Sequence, residues 1–103
     1  MRDKYILRDG NVVPEPNALA WAKWFEDSRN ERQIAKDSIG AALVSTVFLG
    51  LDHSFGGATP ILWETMIFGG PHDGHQERYA TRDEALAGHQ KAVEMCEMSV
   101  MEE

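Results

Sequence analysis

An intrachain disulfide and a cysteine-based zinc cage are closed to this chain, because its 103 residues include a single cysteine, Cys96. A reducing, cytosolic environment suits such a sequence. Long apolar runs are missing too: stretches such as Ala41 to Val44 fall far short of the roughly 20 residues that cross a bilayer. No membrane association is expected. The opening MRDKYILRDG has no apolar leader core and mixes acids with bases, so the expected location is the cytoplasm. Basic residues are scarce, ten against 17 acids, for a net charge of −7. Up to Lys36 seven bases meet six acids, whereas from Asp37 onward three bases face eleven. Phosphate backbones are bound by clustered Lys and Arg, so direct nucleic-acid backbone binding is not expected. An acidic half suits a basic protein surface instead. Catalytic signatures are equally absent: no GxSxG, HExxH, CxxC, EF-hand or P-loop pattern occurs, and no cofactor is expected.

What is present is enough for a core. A hydrophobic share of 43% with three tryptophans predicts one globular domain over residues 1–103. Lys4 to Arg8 alternates and meets Asp9-Gly10, a two-residue hairpin signal, with Val12-Val13 returning before Pro14 and Pro16 stop the sheet. Asn17 is a helix N-cap, and Ala18, Trp21, Ala22 and Phe25 share one helical face to about Ser28. Trp24 lies off that stripe, so it reads as part of a wider buried face or as an aromatic at a contact surface. A charged link, Arg29 to Arg32, leads into a polar strand over Gln33 to Ile39. Ala42 to Leu51 and Ile61 to Phe68, rich in β-branched and aromatic residues, predict a central hairpin. Alternation sets Val44, Thr46 and Phe48 against Leu43, Val47, Leu49 and Leu51, and in the partner Leu62, Met66 and Phe68 against Ile61, Trp63 and Ile67. Both hairpin faces are apolar, and the second needs a cover: more of the chain, a ligand or a second subunit. After a short strand at Gln76 to Ala80, Thr81 and Glu84 form a capping box. The helix it starts has an apolar stripe of Ala85, Leu86, His89, Ala92, Val93 and Cys96, and is expected to fray from about Met98 because Glu102 and Glu103 oppose its dipole. The fold class is α+β: an antiparallel sheet of four to six strands, two helices on one face, in the order ββ-α-βββ(β)-α.

The residues able to carry chemistry lie mostly in two loops. Asp52, His53 and Phe55 precede the Gly56-Gly57 pair; His72, Asp73 and His75 follow Gly69-Gly70. His72 and His75 have a spacing that can hold a metal from one loop, but strand direction puts the two loops at opposite ends of the sheet. The glycine pairs fit turns and bulges better than a phosphate cradle. Glu64 falls mid-strand on an apolar face and His89 on an apolar helical stripe. If the helix packs on that face they pair, as an acid/base couple or as a buried structural pair. Cys96 reads as a small buried hydrophobe, since its charged neighbours Glu94 and Glu97 are acidic.

The segments STVFLGLDHSFG (Ser45 to Gly56), ETMIFGG (Glu64 to Gly70), YATRDEA (Tyr79 to Ala85) and Gly88-His89, with WAKWFE and KYILRDG, resemble a family of short proteins encoded by tailed bacteriophages and prophages. The resemblance implies a setting, the cytoplasm of an infected bacterium, and assigns no functional residue. Three readings follow. The first is an accessory that binds a host protein, such as a defence protein, through its acidic surface and exposed aromatics including Trp24 and Trp63. The second is an oligomer, a homodimer for instance, that sequesters a small ligand such as a nucleotide. The third is a small metal-dependent or acid/base enzyme built on His53, Asp73, His75, Glu64 and His89.

Overall fold

The computed structural model describes Arg2 to Met101. The Asp9-Gly10 turn, with φ of 53° and 82°, closes a hairpin of β1 (Tyr5–Arg8) and β2 (Asn11–Pro14), as two positive-φ positions in a two-residue turn require. Asn17 accepts the Ala20 amide and starts α1 (Ala18–Asp27). The Arg29 to Arg32 link is itself a single helical turn, α2 (Arg29–Arg32). An antiparallel sheet follows in simple order: β3 (Gln33–Ile39), β4 (Ala42–Phe48), β5 (Trp63–Phe68) and β6 (Gln76–Tyr79). The chain ends on α3 (Arg82–Met101), whose start is the predicted capping box, with Thr81 Oγ1 accepting the Glu84 amide and Glu84 accepting the Thr81 amide, both at 3.1 Å. The fold is α+β, with sheets of two and four strands joined where Lys4 bridges Leu51 and the Tyr5 amide donates to the Gly50 carbonyl.

One face of the large sheet is dry. Alternation in β4 buries Ala42, Val44, Thr46 and Phe48, and their partners across β5 are Ile67, Thr65 and Trp63. α3 lies along this face, and Trp24 of α1 reaches its far end edge-to-face with Phe48, at 6.0 Å between centroids. α1 otherwise rests on the β1–β2 hairpin rather than beside α3. Its inward stripe is Trp21, Trp24, Phe25 and Ser28, whereas Ala18 and Ala22 face solvent. The expected stripe was thus displaced by one tryptophan, because the indole of Trp21 donates to the carbonyls of Tyr5 and Gly50 and so fixes the helix's rotation.

The interior is divided in two. Leu7, Phe48, Leu62, Trp63, Tyr79 and Ala85 form one apolar cluster; Ala42, Val44, Ile67, Ala92, Val93 and Cys96 form the other. Between them runs a polar band, Thr46, Thr65 and His89, all buried. Leu62 belongs to the first cluster because β5 begins only at Trp63, so the alternation expected from Ile61 does not reach it.

The opposite face of the sheet is covered less than its hairpin composition predicts it must be. Leu43, Val47 and Met66 are half-buried and Phe68 is 47% exposed. Long polar side chains of the flanking strands spread over it: Gln33 Nε2 donates to Ser45 Oγ at 2.8 Å, and Arg78 and Gln76 close over Glu64. The open edge at β3 carries an irregularity between Gln33 and Ala35 and an exposed Lys36, devices that discourage edge-to-edge pairing.

α3 does not fray at Met98. It continues to Met101 because its last turns are held by tertiary contacts: His72 Nε2 meets Ser99 Oγ at 2.8 Å, and Val100 packs on the turn at Gly40. Glu102 and Glu103, which carried that expectation, lie outside the described residues.

Candidate functional site

His89 is the centre of the largest buried polar arrangement among the described residues. Its position in α3, between Ala85 and Ala92 on the inward stripe, places the imidazole at the centre of the helix–sheet interface. Nδ1 lies 2.7 Å from Thr46 Oγ1, which lies 2.5 Å from Thr65 Oγ1; Nε2 lies 2.7 Å from Asp37 Oδ2. Carboxylate, imidazole and hydroxyl are thus in the order used to activate a nucleophile. The hydroxyls, however, are inaccessible: Thr46 and Thr65 are 0% exposed. The chain pins α3 to β3, β4 and β5, with its only wet end at the half-exposed Asp37 carboxylate.

The expected pairing of Glu64 with His89 is overturned. Trp63 and Thr65 point to the helix, so Glu64 points to the other face, where it accepts from Arg78 Nε at 2.9 Å and from Gln76. Alternation within β5 was legible; which face receives α3 was not. The residues that partner His89 escaped the sequence for a related reason. Asp37 lies on a strand whose register against β4 is set only by pairing, and a threonine in a β-branched run reads as strand propensity.

The two loops sit at opposite ends of the sheet, as strand direction requires: Gly69 packs on Ala41, whereas Asp52 hydrogen-bonds to Asp3. In the Gly69–His75 loop the side chains of His72 and Asp73 have structural partners, whereas His75 is held through its backbone. Asp73 Oδ1 accepts the Gly69 amide at 2.6 Å, His72 binds Ser99, and the His75 carbonyl accepts the Ile67 amide. Among the described residues no three His, Cys, Asp or Glu side chains gather as metal ligands. Cys96 is buried, which pushes its thiol pKa up and leaves it a poor nucleophile.

Trp63, expected among the exposed aromatics, is only 5% exposed and packs edge-to-face on Phe48 at 5.3 Å. Its Nε1 is buried without a hydrogen-bond partner among the described residues, and the residue forms part of the wall of a cleft with Leu7, Glu31 and Arg82. Trp24 is half-buried against the same cluster. Neither is a free contact residue.

The loop after β4 is different. Asp52 organises it: Oδ1 accepts the amides of Ser54 (2.8 Å) and Ile61 (3.0 Å), and Oδ2 accepts the Ser54 hydroxyl (2.9 Å). His53 Nδ1 is 2.7 Å from the Leu51 carbonyl, and its Nε2 lies 3.4 Å from Arg2. At the tip stands Phe55, 87% exposed and at φ 55°, beside a recess lined by Arg2, Asp3, Asp52 and Gly57. A bulky residue in the left-handed region costs about 1–2 kcal/mol that glycine does not incur. The sequence flagged Asp52, His53 and Phe55 from loop composition, but the strain at Phe55 is a three-dimensional property.

Asp52 yields a pH prediction. The Ile61 amide, then the amide and hydroxyl of Ser54 and the charge near His53, hold its carboxyl below the usual carboxylate range against an opposing effect of burial. A depressed folded value favours the folded loop above the unfolded carboxylate pKa of about 3.9, and that contribution is lost as pH falls through the lower folded value. The amide shifts of Ser54 and Ile61 should titrate together with a midpoint below about 3.9, and Asp52→Asn should abolish the transition. A midpoint at or above the usual value would show that these bonds do not stabilise the ionised form.

No family model, curated protein or solved structure matches the chain.

Proposed function

We propose that this protein acts by binding another protein, with the Asp52–Pro60 loop as its contact element and Phe55 as the anchor. The observation that carries this reading is Phe55 itself, an aromatic side chain presented to solvent in a strained conformation on a loop tied down from within. Among the described residues the exposed ring has little packing to offset that strain, whereas insertion into a partner's pocket would supply it. Aromatic anchors dominate interface energetics, and a loop already held in shape loses little entropy on docking. The setting is the one the resemblance implies: a phage-encoded accessory in the cytoplasm of an infected bacterium, directed at a host protein, a defence protein being the first choice. The acid/base reading loses its support once Glu64 and His89 face opposite sides of the sheet.

The test separates binding from folding. Phe55→Gly should leave stability unchanged or raise it by up to about 1 kcal/mol, since glycine tolerates the positive φ. The same variant should lose the partner that the wild-type protein retains from bacterial lysate. Wild-type protein that captures nothing above background, or capture indifferent to Phe55→Gly, would refute the reading.

A further inference from the structure

Three exposed large apolar side chains, Met98, Val100 and Met101, lie in the last turn of α3, at the end of the sheet opposite Phe55. Here the last turns of α3 stand over the β3–β4 turn and the β5–β6 loop. Two recesses adjoin along Ser99. One, of about 120 Å³, has Ala42, Pro71, Cys96 and Val100 in its walls; the other, of about 250 Å³, lies between His72, Met95 and Met98. They are preformed, because the His72–Ser99 bond and the Asp73 cap on Gly69 hold the loop to the helix. Methionine lining adapts to an inserted side chain at little cost in specificity or strain.

The charge around these recesses selects their occupant. Asp73, Glu94 and Glu97 are exposed at this end, Lys91 is the one neighbouring base on α3 among the described residues, and its last turn holds none. Acids near a helix C-terminus oppose the macrodipole, and no basic group in that turn offsets them. A second copy of this chain would bring the same acids to the contact. Anionic lipid and nucleic acid are repelled for the same reason. We infer that the apolar end of α3 docks a basic amphipathic helical segment of a partner protein, its apolar face seated on Met98 and Val100 and its Lys or Arg side chains meeting Glu94, Glu97 and Asp73.

This site is separate from the Phe55 loop, so the two proposals fail independently. The probe is a labelled amphipathic peptide of leucine and lysine, titrated with the intact protein beside a leucine–glutamate counterpart. The basic peptide should bind and the acidic one should not. Affinity should fall about tenfold with Met98→Ser, about tenfold with Glu94→Lys/Glu97→Lys, and with rising salt as surface charges are screened, while Leu19→Ser, at an exposed position of α1 outside both sites, leaves it unchanged. Met98 is 62% exposed, so its replacement does not threaten folding. Equal binding of both peptides, binding of neither, or indifference to Met98→Ser would overturn the proposal. So would self-association, or adsorption to anionic vesicles or RNA, that Met98→Ser abolishes.

Discussion

Gly88→Ala is expected to destabilise the protein by about 2 kcal/mol, although alanine is the better helix former by about 1 kcal/mol. A methyl group at Gly88 would lie 2.1 Å from the Tyr79 hydroxyl oxygen and 2.3 Å from Cζ, well inside contact distance. Tyr79 is buried beneath α3 with its ring against the missing side chain, so relief requires either swinging an aromatic out of the core or lifting the helix. Overpacking of this kind costs about 1–3 kcal/mol, sometimes more, which outweighs the propensity gain. For a chain of this size the loss should lower Tm by roughly 10 °C. Thermal and urea unfolding measure it directly. Tyr79→Leu should be harmful alone yet restore part of the stability in the Gly88→Ala background, a coupling that a double-mutant cycle isolates. Wild-type stability in Gly88→Ala would mean that helix and ring are not in this contact.

His89→Leu should cost a similar amount for a different reason. The substitution keeps the apolar volume between Ala85 and Ala92 but strips a partner from Thr46, which is fully buried with Thr65. An unsatisfied buried polar group costs about 1–3 kcal/mol, whereas replacing every member of a network by apolar groups is close to neutral. The combined variant Thr46→Val/Thr65→Val/His89→Leu should therefore be more stable than His89→Leu alone. Urea midpoints in that order would establish the polar band as an interdependent unit; additive losses would show three independent contacts. Asp37→Asn should matter less, because the Asp37 carboxylate is 56% exposed and water replaces its lost bond.

The contrast between these two variants shows where sequence reading reached its limit. The capping box at Thr81–Glu84, the Asp9-Gly10 turn and the β4 alternation were legible because each is a local rule, operating between residues a few positions apart. The loops at Asp52 and His72 were correctly placed at opposite ends, since strand direction alone demands it. The Glu64–His89 pairing failed because alternation tells which residues share a face and not which face a distant helix will cover. Trp63 was misread as exposed for the same reason.

The sequence by itself determined the α+β class and each element except the single turn α2, with the ends of β4, β5 and α3 left to the structure, and an acidic composition. Only the tertiary structure decided that Asp37, Thr46, Thr65 and His89 meet, that Glu64 pairs with Arg78 and accepts from Gln76, and that Phe55 stands strained and exposed while Trp63 is buried. Local elements follow from hydrogen bonding and side-chain entropy among sequence neighbours. Strand register, helix placement and the strain at one residue are set by the whole core closing at once.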